Sequence, residues 1–201
     1  EISQLLADKP TISFHVDAVQ AIGKVPTEQY LTDRVDFASF SGHKFHSVRG
    51  VGFVYIKAGK KIAPLLTGGG QESDKRSTTE NVAGIAATAK ALRLTLDKDK
   101  ATDSQKQLAA MKQIMVDELS KYQDVTVFSG RENFVPSILT FGIKNIRGEV
   151  IVHAFEDHQI YISTTSACSS KAGKPAGTLI AMGVPQKLAQ TAVRVSLDDD
   201  N

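Results

Sequence analysis

Two short blocks near the start of the chain contain residue types that a covalent cofactor site requires. The first is an apolar run that includes Asp17 and is followed by Gln20, and the second is the tetrapeptide Ser-Gly-His-Lys at residues 41–44. A carboxylate inside a buried strand is costly unless it is paired or hydrogen-bonded, so we expect Asp17 to be buried and to have a partner. Open α/β sheets bind ligands at the carboxyl ends of their strands, where both blocks are predicted to lie.

Asp17 and Lys44 are the pair of groups that a site for pyridoxal 5′-phosphate (PLP) most requires. The carboxylate keeps the ring nitrogen of PLP protonated, so that the ring accepts electrons, and the lysine amine forms a Schiff base with the aldehyde of PLP. Taken singly, a strand-end aspartate is more often a capping residue, and such a tetrapeptide is more often a solvated loop. The combination predicts a PLP site, with His15 as a packed, hydrogen-bonded residue and His46 as a loop residue.

Cys168 is the single cysteine of the chain, in the segment TTSACSSKAGKPAG. Small and polar residues without apolar periodicity predict an exposed, mobile loop. Lys171 and Lys174 favour the thiolate form. Composition alone supports a reactive and an inert cysteine about equally. A single cysteine excludes an internal disulfide, so we expect a reducing, cytoplasmic location.

Arg194 lies within the apolar run AVRVSL at residues 192–197, which we interpret as the closing strand. An unpaired guanidinium in an apolar strand is costly, so Arg194 is expected to face a site or a carboxylate. The alternative is a surface salt bridge on an edge strand.

Strands and helices alternate along the chain, which predicts an α/β architecture with open sheets. The opening residues are predicted to form the end of a helix, and residues 67–78 an exposed Gly-rich loop. Further helices are predicted at 82–96, 107–122 and 149–158, with one more before the closing strand. Strands are predicted at 11–19, 35–41, 51–57, 125–129, 137–143, 160–163 and 192–197. The polar stretch 97–105 is predicted to break the chain into domains at 1–98 and 99–201.

Composition limits the classes of partner. The 201 residues carry a formal charge of +2, which does not suggest nucleic acid or an anionic membrane surface as a partner. No stretch approaches the roughly 20 apolar residues that span a bilayer, and the first residues do not resemble a signal peptide. No metal site is predicted.

Three blocks resemble the NifS/IscS-like cysteine desulfurases of the class V aminotransferase superfamily: FHVDAVQAIGKVP, DFASFSGHKFHSVRGVGFVYIK and GGGQE…RSTTENVAGI. The resemblance implies a homodimeric PLP-dependent transferase of fold type I. It assigns 1–98 to the C-terminal portion of the PLP-binding large domain and 99–201 to the small C-terminal α/β domain. Parts expected upstream are not found, including the Gly/Thr phosphate loop and the group that stacks on the ring. We therefore expect the isolated chain to bind PLP weakly or not at all.

The resemblance also implies roles for single residues. Asp17 is assigned to the ring nitrogen of PLP and Gln20 to its phenolic oxygen. Ser41 and His43 are assigned to the phosphate of PLP, and Lys44 to the Schiff base. Thr79 is assigned to the phosphate of the PLP bound by the partner subunit. The family usually has glycine where this chain has Thr78, which predicts strain if that position needs a positive φ.

In the second half, S-A-C-S-S resembles the motif of the sulfur-accepting cysteine, which implies that Cys168 carries a persulfide. Arg194 is implied to clamp the α-carboxylate of L-cysteine, which is converted to L-alanine. The sulfur acceptor is expected to be an iron–sulfur scaffold protein or a tRNA-thiolation enzyme. Alternatives are a selenocysteine lyase, a class V aminotransferase, or a non-catalytic module that binds a partner.

Overall fold

The computed structural model describes residues 1–130, 134–165 and 177–198. These form two compact units, Glu1–Ala101 and Thr102–Asn201, which are described separately. Cys168 lies outside the described residues. Within the described ranges, no helix is long and apolar enough to cross a membrane.

The first unit contains a three-stranded sheet with short helices around it. Its helices are α1 (Ile2–Leu5), α2 (Thr27–Tyr30), α3 (Gln71–Asp74) and α4 (Val82–Thr95), with a 3₁₀ turn at Gly42–Lys44. Its strands are β1 (His15–Asp17), β2 (Phe37–Ser41) and β3 (Gly52–Ile56), in the order β1-β2-β3. The first pair is parallel, with Asp17 opposite Ser39, and the second pair is antiparallel, with Ser41 opposite Gly52.

β2 is the central strand of this sheet, and its residues alternate between a buried face and a partly exposed face. Ala38 and Phe40 are buried, and the residues between them are partly exposed. Phe40 stacks on Phe53 of β3 with ring centroids 4.6 Å apart, while Phe45 is 1% exposed beneath the 3₁₀ turn. The buried face of β2 therefore forms the core of this unit, completed by Ala18, Ile22, Val35 and Ala91.

The predicted strand at 11–19 is wrong in length, because only His15–Asp17 is regular strand. Phe14 still accepts backbone hydrogen bonds from the Asp36 and Phe37 amides, but the residues before it are held by the Arg34 guanidinium. It donates to the carbonyl oxygens of Leu6 (2.8 Å), Lys9 (2.9 Å) and Ile12. A side chain thus satisfies backbone acceptors that a sheet ladder would otherwise pair.

The second unit contains a four-stranded antiparallel sheet in the order β4-β5-β7-β6. Its core joins β5, β7, α5 and α6 through Leu139, Phe141, Val193, Ile151 and Val116, each at most 6% exposed. The strands are β4 (Val125–Val127), β5 (Ile138–Ile143), β6 (Ser163–Thr164) and β7 (Ala192–Ser196). The helices are α5 (Lys98–Leu119), of which residues 98–101 fall in the first unit, α6 (Gly148–Glu156), α7 (Gly177–Ala181) and α8 (Gln186–Ala189).

Three sequence predictions need correction here. The polar break at 97–105 is wrong, because α5 already begins at Lys98; this stretch contains no proline or glycine that would end a helix. The single final helix is two short helices, separated by Gly183 at φ 86° and Pro185. The strand at 160–163 is displaced, since β6 begins only at Ser163.

Candidate functional site

The carboxyl ends of β1 and β2 bring the first group of predicted site residues to one edge of the sheet. Because the two strands are parallel, Asp17 at the end of β1 and Ser41 at the end of β2 lie at the same edge. The 3₁₀ turn that carries His43 and Lys44 follows Ser41 directly. The chain thus places a carboxylate, a hydroxyl, an imidazole and an amine at one sheet edge.

Asp17 is exposed, which contradicts the expectation of a buried carboxylate. The sheet face on which it lies is not covered by other described residues. The carboxylate therefore stays hydrated and needs no buried partner. Its Oδ1 accepts a hydrogen bond from the Val19 amide at 3.1 Å. Gln20 is also exposed, and its Oε1 accepts from Lys24 Nζ at 2.9 Å. Both acceptors are therefore accessible from solvent.

His15 belongs to the same polar sheet face, although the sequence gives it no clear role. It lies two residues before Asp17, so both side chains point to the same side of β1. Its Nε2 lies 2.7 Å from Oγ of Ser39, which is the strand partner of Asp17. His15 is hydrogen-bonded as predicted, but it is exposed instead of packed. The spacing of two residues between His15 and Asp17 in a strand was the sequence feature that could have assigned His15 to the site.

The 3₁₀ turn is anchored by packing around Gly42. A Cβ at Gly42 would lie 3.0 Å from the Val51 carbonyl oxygen and 3.1 Å from both Ser47 and Thr88. The Gly42 amide donates to the same Val51 oxygen at 2.9 Å, and the Ser47 and Thr88 hydroxyls are 2.8 Å apart. A buried, tightly packed glycine thus fixes the base of the turn, and Lys44 extends into solvent.

The residue types at this edge fit PLP. The carboxylate of Asp17 would hold the ring nitrogen, the amine of Lys44 would hold the aldehyde carbon, and Ser41 and His43 would donate to the phosphate. The close packing at Gly42 supports this fit, because a side chain there would displace the turn that carries Lys44.

Thr79 lies exposed in the segment between α3 and α4. Thr78 is not among the residues with positive φ, so replacing the family's glycine by threonine introduces no backbone strain there. Positive φ occurs instead within α3, at Glu72 (52°), Ser73 (55°) and Asp74 (62°). These residues make the exposed 67–78 segment a left-handed turn instead of a regular helix.

Asp36 is a buried charged residue that the sequence analysis did not single out. It is 2% exposed and accepts hydrogen bonds from the Phe14 amide (2.9 Å) and Arg34 (3.0 Å), and its other oxygen pairs with Lys60 (3.0 Å). The Phe14 hydrogen bond, with the Lys60 and Arg34 contacts, lowers the pKa of Asp36 to about 2. This network fixes the segment that leads into β1. A carboxylate directly before an apolar strand was the sequence feature that could have identified Asp36 as a buried, paired residue.

Arg194 lies on β7 in the interior of the second sheet, opposite Thr140 of β5 and Ser163 of β6. Its Nε is buried and, among the described residues, has no hydrogen-bond partner. A buried guanidinium nitrogen without an acceptor is costly, so the atom fits a carboxylate ligand that accepts from it. Arg194 and the Lys44 edge belong to different units, each with its own geometry.

A protein-family model described as aminotransferase class-V matches residues 1–201. A NifS/IcsS protein homolog from Lactobacillus delbrueckii subsp. bulgaricus is 50% identical over 206 residues, covering 100% of this chain and 52% of the relative. A cysteine desulfurase IscS from Dictyoglomus turgidum is 38% identical, covering 98% of this chain and 49% of the relative. The chain therefore spans about half the length of the curated relatives it matches.

Two solved structures have a similar backbone. A NifS-like protein superposes with a TM-score of 0.85 at 35% identity, over 98% of this chain and 50% of that one. A NifS-like protein from Rickettsia africae superposes with a TM-score of 0.83 at 28% identity, over 100% of this chain and 52% of that one.

Proposed function

Because the chain belongs to the aminotransferase class-V family, we propose that it carries the reacting residues of a PLP-dependent cysteine desulfurase. It has the α/β fold of the NifS-like proteins, fold type I of the PLP-dependent enzymes, as the sequence predicted. The relatives named as desulfurases are about twice its length, so the reaction is proposed for the complete active site and not for these residues alone.

One observation carries the proposal: parallel pairing of β1 with β2 brings Asp17 and the Lys44 turn to one sheet edge. Bound PLP would withdraw electrons from the α-carbon of an amino acid. The accessible carboxylate of Asp17 would keep the ring nitrogen protonated. The exposed amine of Lys44 would hold the cofactor and then, once released from it, move the α-proton of the substrate.

The substrate would be L-cysteine, oriented through its carboxylate by Arg194. The buried Nε of Arg194, with no acceptor among the described residues, supports this assignment. The Cys168 thiolate would attack the substrate sulfur, forming a persulfide as the carbon–sulfur bond breaks. The electron pair would stay with the substrate carbon, which takes up a proton to give L-alanine.

The proposal includes a homodimer in the cytoplasm, in which Thr79 reaches the partner subunit's PLP phosphate. We call residues 66–81, which include Thr79, the Thr79 segment. The apolar side chains on either side of it in sequence are largely exposed, Leu65 (95%) and Val82 (72%), which supports a protein interface there. We further propose that the persulfide sulfur passes to an iron–sulfur scaffold protein or a tRNA-thiolation enzyme, and that 1–98 and 99–201 are parts of separate domains.

The test begins with the protein purified from its own cells, whose intact mass defines the species assayed. That protein is incubated with PLP, reduced with borohydride and mapped by peptide mass spectrometry. We expect a pyridoxyl adduct on Lys44 that is lost in Lys44→Ala and kept in Lys61→Ala, a matched change at another exposed lysine. An adduct that survives Lys44→Ala would contradict the cofactor assignment.

A second measurement separates desulfuration from the alternative reactions. With L-cysteine, we expect a persulfide on Cys168 and release of L-alanine, both abolished in Cys168→Ser. Alanine release that is unchanged in Cys168→Ser would reject the sulfur-transfer mechanism and favour a lyase. Consumption of L-cysteine without alanine release would favour an aminotransferase, which keeps the sulfur on the carbon skeleton.

A further inference from the structure

Lys112 is a buried cation that has no role in the proposed desulfurase chemistry. It lies on α5 in the second unit and is 6% exposed. Within the described ranges its Nζ contacts the Val135 carbonyl oxygen at 3.1 Å and lies 5.5 Å from the centre of the Phe134 ring. Neither partner carries a charge, and burial lowers the pKa of Lys112. A buried ammonium group with no counter-ion is energetically unfavourable.

Lys112 lines a pocket of about 320 Å³, at the small end of the roughly 300–1,000 Å³ typical of ligand sites. One wall is a single face of α5, since the residues recur at helical spacing. The opposite wall is the segment that leads into β5. The lining residues are Gln105, Ala109, Lys112, Gln113, Val116, Phe134 and Pro136.

The lining chemistry determines which ligand fits. Val116, Phe134 and Pro136 give the pocket an apolar surface, whereas Lys112 supplies one positive charge. Gln113 is already engaged, because its Nε2 donates to Asp117 Oδ1 at 2.7 Å. A carboxylate carries one negative charge, which the single ammonium group of Lys112 would neutralise, whereas a phosphate dianion would leave one charge uncompensated beside the apolar wall.

We propose that this pocket binds a small carboxylic acid, with its carboxylate on Lys112 Nζ and its apolar part against Val116, Phe134 and Pro136. The ligand would supply the counter-ion that the described residues lack. It would also cover the ring of Phe134, which is 43% exposed. This site lies entirely within the second unit and does not depend on PLP, so it is independent of the desulfurase proposal.

The first test titrates the 201-residue chain with sodium benzoate while amide resonances are followed by NMR. We expect saturable shifts in α5 and around residue 134, with a dissociation constant of about 1 mM or lower, as suits a ligand of this size. Benzamide has nearly the same shape without the charge, and it should bind at least about tenfold more weakly. Equal binding of benzoate and benzamide, or no saturable shift up to about 20 mM benzoate, would overturn the proposal.

The second test removes the charge from the pocket. Lys112→Met keeps the length of the apolar stem and should weaken benzoate binding at least about tenfold. Lys106→Met is the matched control, because Lys106 is an exposed lysine of the same helix and does not line the pocket. Unchanged benzoate affinity in Lys112→Met would reject the site. The comparison of benzoate with benzamide on the unmodified chain decides the matter even if this variant fails to fold.

Discussion

Asp36 couples the folding of the first unit to pH. The pKa of its carboxyl falls from 3.8 to about 2, first because of the Phe14 amide hydrogen bond and then through the Lys60 and Arg34 contacts. A carboxyl whose pKa is lower in the folded state stabilises that state at pH values above its unfolded-state pKa. This stabilisation is lost as the pH falls towards the folded-state pKa. The relevant window therefore lies between about pH 4 and about pH 2.

We expect Asp36→Asn to lower the free energy of unfolding at neutral pH, because Arg34 and Lys60 lose their shared anion. The difference from the unmodified chain should shrink as the pH falls below about 4. Urea unfolding at a series of pH values measures this difference. Asp8→Asn is the control, since in the described part of the chain that carboxylate pairs with exposed Lys9 alone. A difference that stays constant across the window would contradict the assignment.

Arg194 should control substrate affinity in the desulfurase-active protein. A charge-assisted hydrogen bond is worth about 1.5–3 kcal/mol, so Arg194→Met should raise the KM for L-cysteine by roughly 10–100-fold. Alanine release as a function of cysteine concentration gives this value. Arg93→Met, at an exposed position of α4, should leave the KM unchanged. A normal KM in Arg194→Met would remove Arg194 from the substrate site.

The chemistry that these side chains could perform was predictable from the sequence, but their burial and their partners were not. Asp17 is exposed because no described residue covers its face of β1, and coverage depends on contacts that a strand pattern does not specify. The prediction that Arg194 faces a ligand site stays a prediction, supported by its buried Nε. Asp36 was missed because its partners come from Phe14 and Lys60, 22 and 24 residues away in sequence.

At the level of elements, the contact of β5 with the turn before β7 depends on Gly142. A Cβ there would collide with the Thr191 hydroxyl and lie 3.2 Å from the Phe128 ring. Gly142→Ala should therefore destabilise the chain by about 1–3 kcal/mol, measured by urea unfolding. Gly177→Ala, which meets nothing within 4 Å, should change stability by about 0.5 kcal/mol or less. Equal stability of the two variants would show that Thr191 moves aside at no cost.

Strand centres could be predicted more reliably than helix boundaries. The strands predicted at 35–41 and 137–143 are confirmed as Phe37–Ser41 and Ile138–Ile143, because apolar residues on one face of each, Ala38 and Phe40 or Leu139 and Phe141, lie in a core. The polar stretch 97–105 was mistaken for a break, since a solvated helix face and a solvated loop have the same composition. A residue that ends a helix would be needed to separate the two cases, and 97–105 contains no proline or glycine. The chain leaves the helical conformation only at Leu96 and Asp97, between the end of α4 and the start of α5.

For the whole molecule, the exposed side chains beside the Thr79 segment provide a test of the proposed dimer. Each large apolar side chain buried at an interface is worth about 1.5–3 kcal/mol. Leu65→Asp combined with Val82→Asp should therefore weaken dimerisation at least about tenfold, as measured by analytical ultracentrifugation. Ile114→Asp, at a 71% exposed position of α5, is the control. An equal effect of the double variant and of Ile114→Asp on dimerisation would contradict an interface at Leu65 and Val82.

Strand β3 has a consequence for handling the chain. Its segment Gly52–Ile56 is uncharged, lies at one end of the strand order among the described residues and exposes Val54 by 52%. Unpaired, apolar strand edges recruit identical edges from other copies, which leads to ordered aggregates. Concentrated solutions are therefore expected to gain thioflavin fluorescence during storage. Val54→Lys should slow that gain several-fold, whereas Val150→Lys on α6 should not.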